Sequence, residues 1–202
     1  EFIYDGAAWD IYNGEQTVTS QFVKNNNQWN FDPSVTLVLP YARNTDPSYT
    51  VYMACVQWVF DNISKPMGGT SLTASSAAEA APFIDYRGNA EFYSGASAYY
   101  GNVDIRATTA KNNAPADYTG YDGLDDQQIT QLMKERFCYE VLPGALKALY
   151  PAAKPVEGID VKFTISFTAY EDGGVSNEYT VVYVVDAPGS FKFESCDWFA
   201  AE

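Results

Sequence analysis

The residues of this chain best suited to chemistry are carboxylates set among aromatic rings. Asp85, Glu91 and Asp104 stand near Tyr86, Phe92, Tyr93, Tyr99 and Tyr100. Glycoside hydrolysis needs two carboxyl groups flanking a sugar. A carboxylate-dependent carbohydrate hydrolase is therefore one expectation, although 26 acidic residues supply such neighbours by chance as well. The same stretch fits a binding surface, because tyrosine and tryptophan offer large rigid faces with a polar tip. The candidate binding residues are Tyr86, Tyr93, Tyr99, Tyr100 and Asp104. Trp9, Trp29, Tyr118 and Tyr121 are further aromatic candidates. Trp9 and Trp29 read more simply as cross-strand residues of hairpins, and tyrosine simply suits strands.

Other chemistries lack their residues. The chain has no histidine. Ser-His-Asp and Cys-His nucleophiles, HExxH zinc sites and histidine general bases are therefore impossible within it. No phosphate-binding loop, dinucleotide fingerprint or G-x-S-x-G elbow occurs. Cys55, Cys138 and Cys196 stand far apart, with no C-x-x-C pair. An odd count is not a disulfide framework, and two of the three lie in apolar helical patterns, where cysteine acts as a small hydrophobe. Asp117, Asp122, Asp125 and Asp126 form an acidic cluster without the spacing of a calcium loop. A helix N-terminus, whose dipole favours negative charge, explains it better. Nothing in the pattern calls for a metal or a cofactor. Asn62-Ile63-Ser64 is a glycosylation sequon inside a predicted helix and carries no functional weight.

With 12 Lys and Arg against 26 Asp and Glu, the formal charge is −14. That charge repels phosphate backbones and anionic membrane surfaces, and no basic run offsets it. Its plainest role is solubility. No apolar run approaches the roughly 18 to 20 residues that cross a bilayer. The chain opens without Met, at Glu1-Phe2-Ile3, and reads as a mature or trimmed piece.

The elements that must position these residues follow from periodicity. Phe2 to Ile11 and Phe22 to Phe31 echo each other as an apolar strand, a polar turn and a Trp-bearing strand. Asp5-Gly6 and Asn25-Asn26 tolerate hairpin turns. Val35 to Leu39 is a third apolar run. Asp46-Pro47 opens a helix with Val51, Cys55, Trp58, Val59 and Ile63 on its core stripe, which should stop before Lys65-Pro66. Residues 67 to 81 read as a loop. Strands are expected at 83–87, 90–93 and 96–105, with an irregular connection over 107–123. Asp125 and Gln128 form a capping box ahead of a helix bearing Ile129, Leu132, Met133, Phe137 and Val141. Pro143-Gly144 should kink or restart it, with a short helix from Ala145 to Tyr150. Val161, Phe163, Ile165 and Phe167 alternate with polar residues, as do Tyr179, Val181, Tyr183 and Val185, around Asp172-Gly173-Gly174. Phe191 and Phe193 begin a further strand. The expected fold is α+β: an antiparallel meander packed by two main helices, with an NTF2-like or cystatin-like cone as a fitting type. Residues 1–40 would form an N-terminal hairpin segment and 41–202 the α+β domain.

Three segments carry a family likeness: Phe2-Ile3-Tyr4-Asp5-Gly6 with Trp9, Tyr93 through Arg106, and Tyr150-Pro151 with Pro155-Val156-Glu157-Gly158. In them the chain resembles uncharacterised exported lipoproteins of gut Bacteroidales, over most of its length. Such proteins carry a lipidated N-terminal cysteine and further β-sandwich domains upstream. The resemblance implies a periplasmic or cell-surface location, an upstream lipid anchor and a role in glycan capture or adhesion. It brings no catalytic residues. The resulting expectation is a non-catalytic exported module that binds a glycan or a surface protein. A carboxylate hydrolase or a purely structural lipoprotein domain is the alternative.

Overall fold

A computed structural model describes residues 2–4, 9–11, 22–25, 27–39, 47–66, 103–114 and 118–199. They fall into two compact units, Glu1–Pro33 and Ser34–Glu202. The first unit contains β1 (Phe2–Tyr4) paired antiparallel with β2 (Trp9–Ile11), and β3 (Phe22–Asn25) paired antiparallel with β4 (Gln28–Phe31). Asn27 takes the positive φ (62°) of the second turn, one residue beyond the expected Asn25-Asn26. Asparagine reaches this region because its short polar side chain can bond locally. Phe22 and Phe31 meet edge to face across β3 and β4, 5.8 Å apart, and Trp29 stands 69% exposed opposite Lys24.

The second unit starts with β5 (Val35–Leu39), followed by α1 (Pro47–Val59) and a π-helical turn at Phe60–Ser64. Then come β6 (Val103–Asp104), α2 (Ala107–Asn113) and α3 (Asp126–Arg136). A second π-helical turn, Phe137–Val141, leads into α4 (Leu142–Leu149). The chain ends in β7 (Lys162–Glu171), β8 (Val175–Ala187) and β9 (Ser190–Cys196). The expected boundary at residue 40 thus falls just after β5, which is part of the second unit's sheet.

That sheet is five-stranded, in the order β5-β7-β8-β9, with β6 also on β7. The β7–β8–β9 meander is antiparallel as its alternation predicts. The sheet as a whole is mixed, because β5 and β6 both lie parallel to β7 along the same edge. Parallel neighbours need a long crossover, so a five-residue apolar run cannot announce its partner. The Ser34 hydroxyl accepts from the Lys162 amide at 2.9 Å and ties the two strand starts together.

One face of the sheet is buried by helices. Phe163, Ile165, Phe167 and Ala169 from β7 share that core with Val181, Tyr183 and Val185 from β8 and with Val51, Cys55, Val59, Ile129, Met133, Phe137, Leu142 and Leu146. Each fully buried Phe, Ile or Leu contributes about 1.5–3 kcal/mol. Phe137 meets Phe167 edge to face at 5.1 Å, and Tyr150 meets Phe163 at 5.0 Å. None of the described helices is long and apolar enough to cross a membrane.

One local expectation needs correction. The segment expected to be irregular contains α2, whose Ala107 and Ala110 are fully buried. Alanine's high propensity, together with tertiary burial, outweighs the polar Thr, Lys and Asn between and after them. At Pro143-Gly144 the helix restarts, as expected. Pro143 sits in the first turn of α4, and the break in register is absorbed one turn earlier, where the Leu142 amide reaches back to the Phe137 carbonyl. In this i to i+5 pattern the partner of the Cys138 carbonyl would be Pro143, which has no N–H. The buried Tyr183 hydroxyl donates to that carbonyl instead, at 2.6 Å. The capping box is as expected: the Gln128 amide donates to Asp125 Oδ1 at 2.8 Å and the Asp125 amide donates to Gln128 Oε1 at 2.9 Å. Asp46, the expected cap of α1, and residues 83–100 lie outside the described residues.

Tyr183→Phe should leave a buried carbonyl without a donor and lower unfolding free energy by about 1–3 kcal/mol in urea titration. Gly144→Ala tests the helix packing. A Cβ there would lie 2.2 Å from Trp58 Cδ1 and 2.3 Å from its Nε1. The ring must move out of its half-buried seat, so stability should fall by about 1–3 kcal/mol with a red shift in tryptophan emission.

Candidate functional site

The C-terminal end of β7 gathers the polar side chains. Glu171 closes the strand, and Asp172-Gly173-Gly174 turns the chain into β8, with Gly173 and Gly174 at φ 87° and 77°. Asn177 and Tyr179 return along β8 toward Glu171, Trp198 comes from the turn after β9, and Lys134 from α3. Glu171 Oε2 accepts from Asn177 Nδ2 at 2.7 Å and from the Tyr179 hydroxyl at 2.8 Å. Its Oε1 accepts from Trp198 Nε1 at 3.0 Å and faces Lys134 Nζ at 3.4 Å. Tyr179 stacks on Trp198 at 5.1 Å, and the Lys134 ammonium lies over the indole.

The charge state of this group follows from those contacts. Burial by itself raises the Glu171 pKa. The hydrogen bonds from Trp198, Asn177 and Tyr179 and the charge of Lys134 outweigh it, so the pKa lies below the usual carboxylate range. Desolvation and the bond to Glu171 push Tyr179 up to about 12. A carboxylate held ionised by four donors serves as a structural anion and is poorly suited to giving up a proton near neutrality.

Asp104 lies on the other side of β7, opposite Tyr170 in the β6–β7 register. It is 1% exposed. Its Oδ1 accepts from the Arg106 amide at 3.1 Å and from Arg106 Nε at 2.8 Å. Its Oδ2 accepts from Arg106 Nη2 at 2.5 Å and from the Thr109 hydroxyl at 3.0 Å. The guanidinium lies 4.3 Å over the Tyr170 ring. The carboxylate therefore holds the entry to α2, through an Asx-type bond to the residue two positions on.

Of the other sequence-derived candidates, Tyr86, Tyr93, Tyr99 and Tyr100 lie outside the described residues, as do Asp85, Glu91 and Asp117. Tyr121 is a core residue, edge to face with Tyr118 at 4.8 Å and 3.7 Å from the Met133 sulfur. Asp125 is the cap of α3, and Asp126 pairs with Lys111. Among the described residues no group of Cys, Asp and Glu is arranged to hold a metal ion.

The sheet face away from the helices carries a cleft that sequence reasoning did not single out. It has a volume of ≈ 440 Å³ and is lined by Val38, Ser166, Phe167, Thr168, Glu178, Tyr179 and Thr180. Its place follows from topology. Pairing with β5 ends at Leu39–Phe167 and pairing with β6 begins at Val103–Ala169, leaving Thr168 between the two partners. The floor comes from alternation: with Phe163, Ile165 and Phe167 turned inward, Ser166 and Thr168 must face outward. The Ser166 and Thr180 hydroxyls touch at 3.2 Å across the strands. The cleft thus offers side-chain hydroxyls, the carboxylate of Glu178 and an aliphatic wall at Val38. That set can hydrogen-bond a polyhydroxylated ligand while an apolar edge rests on a wall.

Glu171→Gln should cost roughly 1–3 kcal/mol at pH 7, since a charged acceptor of several hydrogen bonds is lost. The folded pKa is lowered, so the carboxylate's stabilisation is present above the unfolded pKa of about 4.3 and fades as pH falls through the folded value. The gap between parent and variant in urea titrations should accordingly narrow from pH 6 to pH 3. Compared with known proteins, the sequence matches no family model, and no curated protein or solved structure matches it significantly.

Proposed function

We propose that this chain is a non-catalytic, exported binding module that takes a glycan in the cleft on the open face of its sheet. The observation that carries this reading is the composition of the cleft: Ser166, Thr168 and Thr180 hydroxyls beside Glu178 and Val38, in ≈ 440 Å³. That volume lies within the range of small-molecule sites, about 300–1,000 Å³. The engagement of Asp104 with Arg106 and of Glu171 with its four donors supports a structural role for both carboxylates. Export to the periplasm or cell surface, as an outer-membrane lipoprotein, rests on the family resemblance. The fold type that goes with this reading is a cone of the NTF2-like or cystatin-like kind. It is supported by helices covering one face of the β7–β8–β9 meander.

The test is a glycan-array screen with the parent chain and with Ser166→Tyr, which fills the cleft from an outward position. Binding by the parent, lost by at least tenfold in the variant at unchanged Tm, is the expected result. Turnover of a bound glycan would replace this reading with the carboxylate hydrolase. Absence of any glycan, with capture of one defined surface protein by the parent and by Ser166→Tyr alike, would place the activity elsewhere.

A further inference from the structure

Glu178 is the charged side chain of the cleft, and among the described residues no lysine or arginine lines it. Other carboxylates of this sheet are occupied within the chain. Asp104 is held by Arg106 and Thr109, Glu171 by four donors and Glu194 by Lys162. Glu178 is exposed and makes no hydrogen bond or ion pair among the described residues. A solvated carboxylate is ordinary on any surface, and what sets this one apart is its register. Ser166 pairs with Val38 on one side and Thr180 on the other, so an aliphatic side chain and two hydroxyls form one outward row. Asp197, whose Oδ1 accepts from the Thr180 amide at 2.7 Å, adds negative charge at the end of that row. Thr168 pairs with Glu178 in the next outward row. Successive outward rows lie about 7 Å apart, two residues along a strand. A single pyranose ring with its substituents bridges such a gap, with hydroxyls on the first row and a further substituent at Glu178.

From this arrangement we infer that the cleft selects an amino sugar with a free, protonated amine, whose ammonium group pairs with Glu178 while its hydroxyls meet Ser166, Thr168 and Thr180. The inference rests on the reading of the cleft as a glycan site and narrows it to a ligand class. A carboxylate accepts hydrogen bonds and donates none, and an ammonium group brings three donors and no acceptor. The bond between them is charge-assisted and about twice as strong as a neutral one. N-acetylation of the sugar removes that charge and leaves one neutral donor. A uronic acid or a sulfated sugar is disfavoured outright, because its anion meets Glu178 with no lysine or arginine in the lining to offset it. The net charge of −14 repels such a ligand further and draws a cationic one in. Glu178 is solvated, so the preference depends on salt, with a screening length of about 3 Å at 1 M.

The experiment is isothermal titration of the chain, at a pH where the sugar amine is protonated, with three probes: a glucosamine trisaccharide, its fully N-acetylated counterpart and trigalacturonic acid. The parent should bind the glucosamine trisaccharide about tenfold tighter than the acetylated one at low salt, with the ratio shrinking toward one at about 1 M salt. Trigalacturonic acid should bind weakest of the three. Glu178→Gln should bring the two trisaccharides to within about twofold of each other at unchanged Tm, because the exposed carboxylate has no partner in the fold to lose. Glu157→Gln, the same charge change at an exposed position in the turn ahead of β7, should keep the full preference. Equal binding of the two trisaccharides by the parent, tightest binding of the uronide, or a preference that survives Glu178→Gln or disappears with Glu157→Gln would each overturn the inference and leave the glycan reading standing. Binding of none of the three overturns it as well, and the glycan reading falls with it when the glycan array is also blank.

Discussion

Strand β7 has partners on both edges and opposite demands on its two faces, and the other elements of the Ser34–Glu202 unit answer to these constraints. Its backbone must be paired on both sides, since a buried amide or carbonyl left alone costs about 1–3 kcal/mol. One edge is satisfied along its whole length by β8. The other is satisfied in two pieces, by β5 over Phe163–Phe167 and by β6 over Ala169–Tyr170. The chain between those pieces includes α1, so the need to complete one edge brings widely separated segments together.

The faces of β7 divide the labour. Phe163, Ile165, Phe167 and Ala169 are buried under the helices. Thr164, Ser166 and Thr168 look away from them and are only half-buried. A cleft whose floor is made of hydroxyls is a direct consequence of a core whose wall is made of phenylalanine and isoleucine. The end of the strand adds a third role. Tyr170 and Glu171 point to opposite sides, the one beneath the Arg106 guanidinium and the other inside a ring of four donors. Glu171 ties α3 to the sheet through its ion pair with Lys134, and the Arg106 guanidinium ahead of α2 rests on the Tyr170 ring.

Two irregularities in this unit lie where regular geometry would leave a polar group unpaired or a side chain misdirected. Pro143 removes a donor, a π-helical turn shifts the register, and Tyr183 supplies the missing hydrogen. The bulge at Glu194 restores the inward parity of Cys196 and places the bulged carboxylate within 2.8 Å of Lys162. These adjustments are coupled, because Tyr183 is both the donor to the helix and the cross-strand neighbour of Phe193.

The sequence by itself determined what depends on near neighbours. Alternation over 161–167 and 179–185 identified β7 and β8 with their buried residues, because strand faces repeat every second position. The spacing of Val51, Cys55 and Val59 identified the core side of α1, and Asp125 with Gln128 located the start of α3, because capping is a contact three residues long. The zero count of histidine excluded whole reaction classes without any structure. Tertiary structure decided what depends on distant partners. The parallel pairing of β5 and β6 with β7 spans more than sixty residues in each case, and nothing in five apolar residues encodes the neighbour. Asp104 looked like a binding carboxylate, and only the fold shows it enclosed by Arg106 and Thr109. The cleft is a product of where two edge strands stop and start. The inward turn of Cys196 needed a β-bulge, a shift of one residue that periodicity averages away.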